Sequence, residues 1–110
     1  MEICFEDQAL ARTCSEKKLR VRAWGLPGSK KVAVRLQQLQ AAGTLQDMRN
    51  LPGRCHELAG DRSGSLAVDV GKTLRIVFRP TKSPPPLKPD GGLDWTSIDD
   101  ITIVEIVNYH

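Results

Sequence analysis

The spacing of apolar residues changes once along this chain, at Leu51-Pro52-Gly53. Before this point apolar residues recur three or four positions apart, as at Val32 and Leu36, which predicts amphipathic helices. After it they alternate with other residues, most clearly over 66–70 and 74–78, which predicts strands with one apolar face. A helical first part followed by consecutive strands predicts an α+β fold, with helices on one face of a small, mostly antiparallel sheet.

The first half of the chain predicts one short strand and two helices. Residues 1–5 alternate weakly and predict an opening strand, and Asp7 is a suitable N-cap for the first helix. The run Gly25-Leu26-Pro27-Gly28 predicts a break, and a second amphipathic helix then extends to Gly43. We therefore expect a helical hairpin before the remaining strands.

Four strands are predicted in the second half, over 54–59, 66–70, 74–79 and 101–107. The complete order is then β-α-α-β-β-β-β. Arg75 and Arg79 share one face of their strand, because residues two or four apart point the same way. The run 101–107 is apolar on both faces apart from Glu105, which predicts a central strand covered on both sides.

Length and composition restrict the class of protein. A chain of 110 residues, with 40% hydrophobic residues and a net charge of +3, predicts a single domain over residues 1–110. It contains no apolar run of about 20 residues and no visible signal peptide, so we expect a cytoplasmic protein without membrane contact. Three scattered cysteines do not predict a disulfide framework. Seven basic residues between Glu16 and Arg35 predict either a solvated helix face or a surface for phosphate or an acidic protein.

Several segments together resemble a known family. They are Leu51-Pro52-Gly53-Arg54-Cys55-His56-Glu57-Leu58, Gly60-Asp61-Arg62-Ser63-Gly64, Leu74-Arg75-Ile76-Val77-Phe78 and the final Tyr109-His110. In this order and spacing they are similar to HigB-type killer toxins, a branch of the RelE/ParE-like superfamily. The resemblance covers almost the whole chain. It implies a RelE-like fold and the toxin of a type II toxin-antitoxin system.

The resemblance also implies an activity and partners. Toxins of the HigB branch typically cleave mRNA on the translating ribosome without metal or another cofactor. Their antitoxins are commonly HigA-like helix-turn-helix DNA-binding proteins, so operator DNA would be reached only through the antitoxin. The matching site residues are His56 near the scissile phosphate, Arg75 on the phosphate, and the terminal pair Tyr109 and His110.

Two positions depart from the family pattern. Ala59 stands where many HigB proteins have a lysine, and Asn108 stands where an aspartate usually precedes the tyrosine. The first change removes a cation from the expected site, and the second removes a carboxylate that could serve as a base.

The candidate residues suit metal-free RNA cleavage, in which the 2′-hydroxyl attacks the adjacent phosphate. Histidine exchanges protons near neutral pH, so His56 and His110 are candidates for proton transfer. Arginine stays charged and binds two phosphate oxygens, which suits Arg75. Tyr109 suits orientation or stacking. Further candidates for RNA binding are Arg54, Arg62, Arg79 and Lys82. The sequence does not determine which group is the acid and which is the base.

Two other functions remain open from the sequence. A ParE-like toxin on the same fold would act on DNA gyrase without cutting RNA, and the alanine at position 59 keeps this reading open. A degenerate toxin would keep antitoxin binding alone. The Cys55-His56 pair could supply two metal ligands, but no Cys-x-x-Cys accompanies it, and we expect no metal site.

Overall fold

The computed structural model describes residues 1–108 and confirms the predicted α+β fold. Helices pack on one face of a five-stranded, mostly antiparallel sheet. The elements in chain order are β1 (Glu2–Phe5), α1 (Gln8–Ser15), α2 (Lys17–Ala41), β2 (His56–Glu57), β3 (Leu66–Val70), β4 (Leu74–Pro80) and β5 (Asp100–Asn108). Tyr109 and His110, which the sequence places in the site, lie outside the described residues.

The helices begin and break close to the predicted positions. The Asp7 carboxylate accepts a hydrogen bond of 2.7 Å from the backbone N–H of Leu10, which confirms Asp7 as the N-cap of α1. The predicted break at 25–28 is a kink at Gly25 alone, whose φ of 75° divides α2. Pro27 does not extend the break, because a proline is tolerated in the first turn of a helix. No helix within residues 1–108 is long and apolar enough to cross a membrane.

The sheet has the strand order β1-β5-β4-β3-β2. β1 pairs in parallel with β5, and the other neighbours are antiparallel. The prediction that 101–107 forms a central strand is confirmed, since β5 lies between β1 and β4. The strand predicted over 54–59 is shorter than expected, because only His56 and Glu57 pair with β3.

The hydrophobic core lies on the face of the sheet that carries the helices. The strands contribute residues such as Leu66, Ile76, Phe78 and Ile103, all fully buried, and α2 contributes Val32. We call this side the helix face and the opposite side the outer face. Arg75 and Arg79 alternate with Ile76 and Phe78 along β4, so their side chains lie on the outer face. His56 pairs with Ala67, which follows the core residue Leu66 in β3, so His56 lies on the outer face as well.

A β-bulge in β5 changes which side chains reach the outer face. Val77 of β4 pairs with Glu105, but the next residue, Phe78, pairs with Ile103, so Val104 is the extra residue. Strict alternation would place Glu105 on the side of Ile103, in the core. The bulge instead turns Glu105 onto the outer face beside Val77.

Candidate functional site

A row of four residues crosses the outer face from β2 to β5. His56 pairs with Ala67, Ala67 with Val77, and Val77 with Glu105. Ala67 and Val77 are buried, and they form a small apolar floor between the two ionisable residues. With strands about 4.8 Å apart, the backbones of His56 and Glu105 are separated by about 14 Å.

The next row along the strands places Arg75 opposite Asp69. The two residues pair across β3 and β4, and Arg75 Nε lies 3.5 Å from Asp69 Oδ1. Arg54 binds the other carboxylate oxygen, with its Nε donating to Asp69 Oδ2 over 2.8 Å. Asp69 is largely buried and Arg75 is half-buried, whereas the Arg54 side chain is 71% exposed. One carboxylate therefore holds two guanidinium groups side by side, a suitable arrangement for a phosphate.

The turn before β2 brings Arg54 and His56 to this face. Gly53 has a φ of 111° and Arg54 has a φ of 50°, a region that side-chain-bearing residues rarely occupy. The backbone N–H of Asp69 donates to the Gly53 carbonyl over 2.7 Å. Arg35 of α2 donates to the carbonyls of Pro52 and Asp69, at 3.0 and 2.9 Å. Contacts from two elements thus hold the turn against β3.

The orientation of His56 follows from a hydrogen bond to the backbone. Its Nδ1 lies 2.5 Å from the carbonyl oxygen of Arg54. A carbonyl only accepts, so Nδ1 carries a proton and donates it. The other ring nitrogen, Nε2, is then the atom that can bind or release a proton in catalysis.

Arg62 and Glu105 form an ion pair across the outer face. Arg62 lies in a 3₁₀ turn, Gly60–Arg62, that connects β2 to β3, and its Nη2 contacts Glu105 Oε1. Because Glu105 is on β5, the pair spans the width of β3 and β4. The Glu105 side chain is 33% exposed, so this carboxylate is shielded but still accessible.

The remaining predicted RNA-binding residues lie farther along the sheet. Arg79 shares the outer face with Arg75, as predicted, but is four residues away, about 13 Å along the strand. It contacts Glu6 at 3.3 Å, and Lys82, beyond the end of β4, contacts Asp99 at 3.4 Å. Neither reaches the cluster around Asp69 through these contacts.

The two departures from the family pattern occupy different places. Asn108 pairs with Leu74, so it is on the helix face, where both line a cavity of about 350 Å³ with Trp24, Gly28 and Lys31. Ala59 is exposed and directly precedes the Gly60–Arg62 turn. A carboxylate at position 108 would therefore face the cavity, away from Arg75.

Cys55, directly before β2, and His56, within β2, point to opposite faces of the sheet, so their side chains do not converge on one metal site. Cys55 packs against the core, and burial raises the pKa of its thiol to about 12. Burial also raises the pKa of the Cys14 thiol, to about 11. Among residues 1–108 no three His, Cys, Asp or Glu side chains converge as a metal site.

The basic segment from Glu16 to Arg35 is only partly a free surface. Arg20 donates to the Cys14 carbonyl over 2.6 Å, and Arg35 is tied to the turn before β2. Partial burial lowers the pKa of Arg35, and the nearby Asp69 opposes that shift. The exposed basic residues of the segment are Lys17, Lys18, Arg22, Lys30 and Lys31.

Two residues of the site were missed by reasoning from the sequence. Asp69 could have been found, because a hairpin that turns at Gly71 and closes with Val70 opposite Leu74 must pair Asp69 with Arg75. Glu105 was noted only as a charge within an apolar run. The sequence signal for its position was the spacing of the isoleucines. Ile101 and Ile103 are two residues apart, but Ile103 and Ile106 are three apart, which indicates a bulge.

Comparison with known proteins identifies the fold. No family model and no curated protein sequence matches the chain. Among solved structures it is similar to a YoeB/ParE toxin from Agrobacterium tumefaciens, with a TM-score of 0.61, 10% identity and 100% of both chains covered. It is also similar to YoeB from Staphylococcus aureus, solved as a dimer, with a TM-score of 0.54, 17% identity and coverage of 100% of this chain and 97% of the other. At these identities the likeness is one of fold.

Proposed function

We propose that residues 1–110 form the toxin domain of a type II toxin-antitoxin system and act as a ribosome-dependent mRNA interferase in the cytoplasm. The observation that carries this proposal is the outer face, where His56 Nε2, the Asp69-bound arginines and Glu105 surround a small apolar floor. The HigB-like motifs and the fold shared with YoeB/ParE toxins support the same conclusion.

The proposed reaction is attack of the RNA 2′-hydroxyl on the adjacent phosphate. Arg75 and Arg54 bind the phosphate oxygens and stabilise the negative charge that develops in the transition state. His56 exchanges a proton through Nε2 while Nδ1–H holds the ring against the Arg54 carbonyl. From the sequence, His110 is a second proton-transfer group and Tyr109 orients or stacks on a base.

Arg62, Arg79 and Lys82 extend the phosphate-binding surface. Each carries an acidic partner in the free protein, respectively Glu105, Glu6 and Asp99. Exposed ion pairs such as those of Arg79 and Lys82 contribute at most about 1 kcal/mol, so RNA phosphates can replace Glu6 and Asp99. Arg62 keeps its contact with Glu105 and offers its remaining N–H donors to a phosphate.

Primer extension on a translated message tests the proposal. Expression of the chain should arrest growth and create new 5′ ends within the message. Arg75→Ala, and separately removal of Tyr109 and His110, should each relieve the arrest and abolish the new ends. Growth arrest without new ends would overturn the nuclease assignment.

A gyrase-directed toxin is the second candidate. One structural neighbour carries the combined name YoeB/ParE, and Ala59 lacks the lysine that many HigB proteins have. This function predicts gyrase-dependent DNA breaks with intact mRNA. A chain that causes no growth defect when expressed alone would instead be a degenerate toxin that only binds its antitoxin.

The proposed partners are the ribosome, mRNA and a HigA-like helix-turn-helix antitoxin. The exposed lysines and arginine of α2 form a basic surface that suits ribosomal RNA or an acidic segment of the antitoxin. Co-expression with the product of the adjacent gene should neutralise the toxin and yield a complex that can be purified.

A further inference from the structure

We propose that Glu105 is the general base that removes the proton from the RNA 2′-hydroxyl. This inference rests on the proposed RNA cleavage and names a group that the sequence left unassigned. It follows from three observations on the outer face: the β-bulge at Val104, the position of Glu105 opposite His56, and the contact with Arg62.

The bulge is the first observation. Ile103 and Ile101 are fully buried in the core, and alternation alone would bury Glu105 beside them. The extra residue Val104 rotates the strand so that Glu105 pairs with Val77 on the outer face. β-Bulges occur next to active sites, where they redirect a side chain. Here the redirected side chain is a carboxylate.

The second observation is the position of Glu105 relative to the other groups. His56 and Glu105 stand at opposite ends of one cross-strand row, and Arg75 is two residues from Val77 on the intervening strand. Cleavage by a 2′-hydroxyl needs a base on the attacking oxygen and an acid on the leaving oxygen, with cations on the phosphate between them. His56 and Glu105 are at the two ends of this row, and the cation Arg75 lies in the adjacent row, beside the floor between them.

Arg62 supplies the third observation. It binds Glu105 Oε1 and so holds the carboxylate over the face, while Oε2 is the second acceptor of the same group. Position 108 lies on the helix face, so its side chain does not reach this row.

The reaction balances without a further reactant. The Glu105 carboxylate takes the 2′-hydroxyl proton, and the oxygen forms a bond to phosphorus. The bond from phosphorus to the 5′-oxygen breaks, and that oxygen takes a proton from protonated His56. The products are a 2′,3′-cyclic phosphate and a 5′-hydroxyl. With Glu105 as the proton acceptor, the acid that protonates the 5′-oxygen in this step is His56.

The test compares Glu105→Gln with the wild type in mRNA cleavage on programmed ribosomes. We expect kcat to fall by about 10²- to 10³-fold with KM little changed, because the base acts in the transition state. The variant must use hydroxide, so the ratio of wild-type to variant rates should fall about tenfold per pH unit between about pH 6.5 and 8.5. A merely structural role would give a constant ratio. Glu105→Asp, which keeps a carboxylate, should recover part of the rate.

The matched control is Glu16→Gln. Glu16 also pairs with an arginine, at 3.1 Å from Arg12, but on the helical side of the molecule. It should cleave at the wild-type rate, and equal urea midpoints for all variants should show that they are folded. Wild-type kcat and pH dependence in Glu105→Gln would overturn this inference alone. A wild-type chain that leaves ribosome-bound mRNA intact would overturn the proposed function and this inference together.

Discussion

Asp69 shows how a single buried carboxylate can organise a cationic site. It binds Arg54 through one oxygen and lies beside Arg75 through the other, while its backbone contacts Gly53 and Arg35. Arginines that face each other without a carboxylate would repel. Asp69 keeps them close together in the free protein, so that less ordering is needed when a phosphate binds.

Asp69→Asn should lower the free energy of unfolding by about 1–3 kcal/mol, because Arg54 loses a hydrogen-bonded, buried carboxylate and Arg75 loses the carboxylate of its ion pair. The measurement is urea unfolding at neutral pH. The matched control is Asp99→Asn, which removes an exposed carboxylate that pairs with Lys82 and should change stability by less than about 0.5 kcal/mol. Equal losses in the two variants would contradict a special role for Asp69.

At the scale of the element, two irregular backbone segments deliver the side chains of the outer face. The turn at 52–54 presents Arg54 and His56, and the bulge at Val104 presents Glu105. Without the bulge, for example, alternation along β5 would turn the Glu105 side chain to the helix face. The turn also needs glycine at position 53, where the chain passes close to β3.

Gly53→Ala should lower the free energy of unfolding by about 3 kcal/mol. An added Cβ would lie 2.7 Å from Val68 Cγ2 and 3.0 Å from the Asp69 carbonyl oxygen, in addition to the strain of a φ of 111°. Gly64→Ala is the matched control, since Gly64 has a φ of 93° but open space around its Cβ position. It should cost about 1–2 kcal/mol. Urea denaturation of both variants compares them, and equal costs would show that close packing at Gly53 is unimportant.

At the scale of the whole molecule, the sheet separates the proposed reaction centre from the rest of the proposed RNA-binding surface. His56, Arg75 and Glu105 lie in two adjacent rows that cross β4 at Arg75 and at Val77. Arg79 and Lys82 lie toward and beyond its other end, with their own acidic partners. A bound RNA would therefore meet these two groups of residues at different nucleotides.

Kinetics should distinguish the two groups. Arg75→Ala should lower kcat for mRNA cleavage by about 10²-fold, because its charge stabilises the transition state. Arg79→Ala and Lys82→Ala should raise KM by about 3- to 10-fold and leave kcat near the wild-type value, since they bind ground and transition states alike. The measurement is the initial rate of cleavage at several concentrations of ribosome-bound message. A drop in kcat for Lys82→Ala would place it in the reaction centre instead.

Much of the fold follows from local pattern. The Asp7 cap, the break at Gly25 and the alternating hairpin 66–78 depend on neighbours within a few residues, so the sequence predicts them. The shared face of Arg75 and Arg79 follows in the same way. The sequence pattern overestimated the length of β2. Alternation over 54–59 is compatible with a strand, but it does not show how many of these residues have a partner, and β3 pairs with only two of them.

The sequence by itself determined the helices of the first half, the order of the strands along the chain and most of the residues proposed for RNA cleavage, but neither Asp69 nor Glu105. Only the tertiary structure decided which of them meet. Asp69 joins Arg54 to Arg75 because a turn and a strand distant in sequence lie side by side. Glu105 faces His56 because the pairing of β4 with β5 admits one extra residue. Side-chain direction along a strand is a local property, whereas register and bulges depend on the neighbouring strands.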